Sequence, residues 1–150
     1  MQAEPALPPG LTRAAVIAEA RRHLGTPFRH QGRTPDGLDC VGLLIAIARA
    51  LNLPHEDITG YTRRAEGMGF LEHFRAHLTE IPLSEAGPAD VLIFVETIYP
   101  CHTGLLSQRH DVAHLIHAHA PRRCVIEEPY LGEWPAKARF AFRFAQLIKE

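Results

Sequence analysis

The chain has 150 residues, 46% of them hydrophobic and 22% charged, with 16 Lys plus Arg against 17 Asp plus Glu and a net charge of -1. That length suits one domain with a single core, and the near-neutral balance offers no bulk field for nucleic acid or an anionic membrane surface. No apolar run approaches the roughly 18 residues of a membrane span, and the three cysteines, at 40, 101 and 124, lack disulfide-framework or zinc-ribbon spacing, so the thiols are expected to be reduced.

Residues 1–10 carry three prolines and a glycine and read as an extended arm, with residues 11–150 forming one domain. The N-terminus has no basic start followed by an apolar run, so the chain is expected to stay in the cytoplasm or to leave without a signal peptide. Thr12 caps a predicted helix from Arg13 to Leu24, with Val16, Ala20 and Leu24 on one stripe beside Ile17 and Gly25 as the stop. A turn-rich loop follows, and Asp39 then caps a second, apolar helix from Cys40 to Leu51, which Asn52 and Pro54 end. Leu53 to Gly69 is loop-like. Phe70, Leu71, Phe74 and Leu78 mark a third helix closed by Pro82; His73 and His77 lie four apart on it and read as a solvated face.

From Gly87 the pattern changes to strands. Val91 to Val95 is a short buried strand, a second runs from about His102 through Leu106, and a turn at Gln108 to Asp111 leads into Val112 to His119. Arg123 to Glu127 and Arg139 to Leu147 complete the set, the last placing Phe140, Phe142 and Phe144 on one face. Helices first and a strand meander after predict an α+β class with an antiparallel sheet.

Cys40 falls in the first turn of its helix, where unpaired N–H groups and the helix dipole favour an anion, so its thiol is expected to ionise more readily than an isolated one. A thiol nucleophile needs a base, and that base needs an orienting partner. His102 opens a strand two residues before Gly104, and His117 lies in Leu-Ile-His-Ala. His110, His114, His117 and His119 invite a zinc reading, but only His117 and His119 share a strand face and further ligands would have to come from elsewhere, so no metal or other cofactor is expected. Cys124 reads as core, and Cys101 lacks a helix terminus to activate it.

Gly25-Thr26-Pro27-Phe28, the turn at Thr34 to Gly37 and Asp39-Cys40-Val41-Gly42-Leu43 resemble, in order, motifs of the NlpC family of bacterial cell-wall cysteine peptidases. Asp90 to Phe94, His102 to Leu106 and Leu115 to Ala118 resemble the strand motifs of the same family. The resemblance implies a papain-like fold, with Cys40 as nucleophile, His102 as general base and acid and His117 orienting His102. It places Phe28, Asp39 and Val41 around the oxyanion and substrate. Phe28 stands where the family has a tyrosine, Val41 where it has a serine, and Gln31 where it has the first of two glycines. The implied substrate is a peptidoglycan stem peptide, cut between γ-D-glutamate and a diamino acid. The Asp-Cys-Val-Gly-Leu form is similar to the branch in phage and gene-transfer-agent tails, which implies tail-hub partners and incorporation into a phage-like particle. Two other classes stay open: a tail-hub structural or binding domain whose chemistry has lapsed, and an amidase or acyltransferase on the same cysteine–histidine arrangement.

Overall fold

In the computed structural model the described residues are 10–53, 55, 68–96 and 99–147. The proline-rich arm apart from Gly10, most of the predicted 53–69 loop and the Cys101 side chain lie outside them.

Helix α1, Arg13–Arg21, starts where Thr12 Oγ1 accepts the Ala15 N–H at 3.0 Å, and it buries Val16, Ile17 and Ala20. It ends three residues before the predicted Leu24, because the 22–25 turn tightens into i→i+3 bonds from His23 and Leu24. Gly25 then takes φ +85 and donates its N–H to Val125, turning the chain toward the sheet and leaving Leu24 37% exposed.

A small hairpin, β1 (Arg33–Thr34) and β2 (Gly37–Leu38), precedes helix α2, Cys40–Ala50. One carboxylate joins the loop to the helix. Asp39, 3% exposed, accepts the Gly42 N–H at 2.7 Å, the Gln31 N–H at 2.8 Å and an Arg33 N–H at 2.9 Å. A Cβ on Gly42 would collide with the Gly32 carbonyl oxygen, so this first turn tolerates only hydrogen there. Gln31 adopts φ +58, a left-handed conformation that explains why glycine suits the position better.

Helix α3, Met68–His77, leads into β3 (Thr79–Ile81), which the sequence did not signal. The remaining strands are β4 (Val91–Glu96), β5 (Tyr99–Arg109), β6 (Val112–His119), β7 (Cys124–Pro129) and β8 (Ala138–Arg143), with a short helix α4, Glu133–Lys137, before β8. The sheet is antiparallel in the order β3-β8-β4-β5-β6-β7. The α+β class is as expected. Strand β8 ends at Arg143 rather than Leu147: Phe144 tucks into the core and Leu147 bridges Leu11 in parallel.

Both faces of the sheet are covered. Val91, Ile93, Leu105, Ile116 and Phe142 pack with Val16, Leu43, Ile47 and Phe74 from the first three helices. On the other face Leu92, Phe94, Leu106, Leu115 and Ala141 pack with Trp134 of α4. This double cover is why Val91 to Phe94 reads as an unbroken apolar run. Two buried carboxylates tie the helices to the strands. Asp90, fully buried, takes two bonds from Arg143, at 2.9 and 2.8 Å, and one from Arg13 at 3.4 Å. Glu127 meets Arg21, Arg109 and Ser107; burial alone would raise its carboxyl, but these donors hold it down at about 2.

Replacing Asp39 by alanine removes a cap and strands three donors, so Asp39→Ala is expected to cost about 2 kcal/mol in urea unfolding. The exposed Asp36→Ala should change stability by less than about 0.5 kcal/mol. Equal effects would contradict the anchoring role of Asp39.

Candidate active site

The site forms where a ladder stops. Strands β5 and β6 pair from Arg109↔Val112 back to Leu105↔Ile116, with His110 and Asp111 at positive φ in the connecting turn. Beyond Leu105 the backbone register ends, and His102 and His117 meet through their side chains instead. A β-bulge on the other side, where β5 carries an extra residue between Pro100 and His102, directly precedes His102 and re-aims it.

Cys40 opens α2 and is half-buried, its sulfur taking backbone N–H groups from Cys40, Val41 and Thr103. Thr103 follows His102, so the helix start docks on β5 one residue from that histidine. The expected easy ionisation is overturned. Burial pushes the thiol up to about 12, the Asp39 carboxylate adds to this, and the three N–H groups offset only part of it. A helix terminus favours an anion, but removing a thiolate from water costs more.

His102 and His117 form one hydrogen-bonded chain with a carboxylate. The His102 Nε2 to His117 Nδ1 distance is 2.7 Å, and His117 Nε2 lies 2.8 Å from Glu128 Oε2. The tautomers follow from the far end. Ionised Glu128 only accepts, so neutral His117 donates from Nε2 and accepts at Nδ1. His102 must then donate from Nε2, which leaves a lone pair on its Nδ1. Both rings are held neutral: burial, then the neighbouring His117, His119 and Lys137, lower His102 well below 6.5, while burial, His119 and Arg122 lower His117 to about 3. Phe94 stacks on His102 at 5.8 Å between centroids, and Trp134 lies 5.5 Å from His102 and 4.8 Å from His117. Gly104 makes room for this packing, since a Cβ there would come within 3.0 Å of the His117 Cβ.

The other expected residues divide. Val41 turns its buried side chain toward α3 while its N–H faces the Cys40 sulfur. Asp39 anchors the loop as described. Phe28 is partly buried against the α2 side of the core and donates its N–H to Arg123. His73 and His77, read as a solvated face, are half-buried and line an apolar cavity with Val41, Leu44, Phe74 and Phe144. Cys124, read as core, is half-buried opposite His119.

Glu128 and Trp134 were not singled out in the sequence. The signal for Glu128 is one of register: Leu115 pairs with Glu128 and His117 with Ile126, so Glu128 is a same-face diagonal neighbour of His117. His117, His119 and Glu128 also bring their ligand atoms within 4.8 Å of one another.

Two consequences are measurable. The folded pKa of His117 lies below its ordinary 6.5, so its contribution to stability is complete above that value and is lost as pH falls toward about 3. Thermal unfolding at pH 7, 5 and 4 should show this loss, and His117→Asn should lessen it. Iodoacetamide at pH 8 should alkylate Cys40 at least about tenfold more slowly than free cysteine, as peptide mapping would report.

No protein-family model matches the chain. Protein P54 of Enterococcus faecium is 33% identical over 81 residues, which are 54% of this chain and 14% of that protein, so the chain spans about a seventh of its length. Among solved structures, the NlpC/p60 domain of peptidoglycan hydrolase SagA is 27% identical at a TM-score of 0.62, covering 88% of this chain and 98% of that one. An NlpC/p60 family protein from Bacillus cereus superposes at 0.68 with 16% identity over 91% of this chain and 41% of its own. RipD from Mycobacterium tuberculosis, described as a non-catalytic NlpC/p60 domain protein, superposes at 0.58 with 12% identity over 87% and 95%. The helices and antiparallel sheet of this chain are those of the papain-like NlpC/p60 fold.

Proposed function

We propose that the protein is a peptidoglycan endopeptidase that cuts the stem-peptide amide between γ-D-glutamate and a diamino acid. The observation that carries this is the Glu128–His117–His102 chain, whose His102 is the strand neighbour of the Thr103 N–H that reaches the Cys40 sulfur at the start of α2, in the fold of a peptidoglycan hydrolase domain. The reaction starts from a neutral thiol and a neutral imidazole. His102 Nδ1 takes the thiol proton as Cys40 Sγ attacks the amide carbonyl, and the Glu128 charge, reaching through His117, stabilises the imidazolium that forms. Backbone N–H groups at the helix start hold the oxyanion. His102 next protonates the departing amine, and water, deprotonated by His102, hydrolyses the thioester. The Asp-Cys-Val-Gly-Leu form supports a place in a phage-like tail, where the particle would bring the enzyme to the wall.

A second reading has its own support. The raised Cys40 thiol and the likeness to the fold of RipD, described as adapted to peptidoglycan binding, favour a domain that holds peptidoglycan without cutting it.

Mass spectrometry of defined muropeptides incubated with the protein separates the two. The endopeptidase reading expects cleavage at the γ-glutamyl bond and a loss of about a thousandfold or more in Cys40→Ala. Retained cleavage in that variant would overturn the nucleophile. Retention on purified sacculi with no cleavage would establish the binding reading.

A further inference from the structure

We propose that His117, His119 and Glu128 bind a zinc-type divalent cation, and that the bound ion switches off the base at His102 by reversing the tautomers of the histidine pair. The switching part rests on the peptidase reading; the binding part does not.

The donor set is two imidazoles and one carboxylate, which suits zinc and the later first-row metals better than magnesium or calcium. Three ligands with a fourth position left for water is an ordinary arrangement for such an ion. The register supplies the set: His117 and His119 lie two apart on one face of β6, and Glu128 is diagonal to His117 on β7. The three ligand atoms already lie within 4.8 Å of one another, and His117 Nε2 is 2.8 Å from the Glu128 oxygen. A tetrahedral zinc with bonds of about 2.0–2.2 Å needs its ligand atoms roughly 3.4 Å apart. The Glu128 side chain, 26% exposed, and the half-buried His119 leave room for the rotations that would bring them there. Arg122 and Lys137 oppose the cation, so the affinity falls below that of a dedicated zinc site.

The chemical consequence follows from proton positions. When His117 Nε2 binds the metal, its proton must sit on Nδ1, because neutral imidazole carries one N–H. His117 Nδ1 then donates to His102 Nε2, and His102 carries its own proton on Nδ1. Each ring keeps one proton, so none is gained or lost by the pair. The lone pair that would receive the Cys40 proton is gone.

Trp134, the sole tryptophan of the chain, sits with ring centroids 4.8 Å from His117 and 5.3 Å from His119, and so reports on the site. Metal-free protein would be titrated with cobalt(II), following tryptophan fluorescence and the visible absorption of tetrahedral cobalt, and then with zinc. The expected result is saturable quenching that zinc reverses, at least tenfold weaker in both Glu128→Gln and His119→Asn, with circular dichroism confirming the fold. No saturable quenching, or quenching unchanged in both variants, would overturn the site. Zinc should also inhibit muropeptide cleavage, and His119→Asn should require at least tenfold more zinc for the same inhibition. Equal inhibition of both proteins would overturn the tautomer switch. Absence of cleavage at any zinc level would count against the peptidase reading and leave the cobalt result to judge the site.

Discussion

A fully buried imidazole must find partners for both ring nitrogens, and His117 finds His102 on one side and Glu128 on the other. Everything around the pair serves that requirement. The β5–β6 ladder ends at Leu105↔Ile116 so that the two side chains meet, Gly104 leaves space for them, and the β6–β7 register delivers the carboxylate. Phe94 and Trp134 pack against the rings, and the start of α2 docks beside them on β5. Burial fixes the charge states: it keeps both histidines neutral and the thiol protonated.

This differs from a cysteine whose thiolate is stabilised in advance by a helix terminus. The terminus is present, and three N–H groups reach the sulfur, yet burial and the Asp39 charge win. Asp39 cannot be dispensed with, because it holds the 31–38 loop onto the first turn of α2. Anchoring the loop therefore comes with a higher thiol pKa. In the proposed reaction a neutral cysteine and a neutral histidine form a workable resting state provided His102 keeps one nitrogen free, and the Glu128 carboxylate favours the arrangement that frees His102 Nδ1.

Much of the fold was legible in the sequence. Thr12 and Asp39 cap their helices as their residue types suggest, and Val112–His119 runs over its predicted bounds. Strand β3 and helix α4 were not legible, because three and five residues carry too little periodicity to register. The end of β8 was misplaced because Phe144 continues the alternation of Phe140 and Phe142 while its backbone has already left the sheet. For the site, Cys40, His102 and His117 stood out through motif and spacing, and the structure brings them to one end of β5 and β6. Glu128 did not stand out, since its relation to His117 depends on register across a turn. The thiol shift was hidden for another reason: it depends on how much water the folded site excludes.

The Glu128 carboxylate at one end of the buried chain sets the tautomer of His102 at the other. Nitrogen NMR of the histidine rings in metal-free protein at pH 7 tests it most directly. The account predicts neutral His102 and His117, each with its proton on Nε2, and loss of that fixed pattern in Glu128→Gln. A protonated His102 paired with a Cys40 thiolate, or a His102 proton on Nδ1, would contradict it.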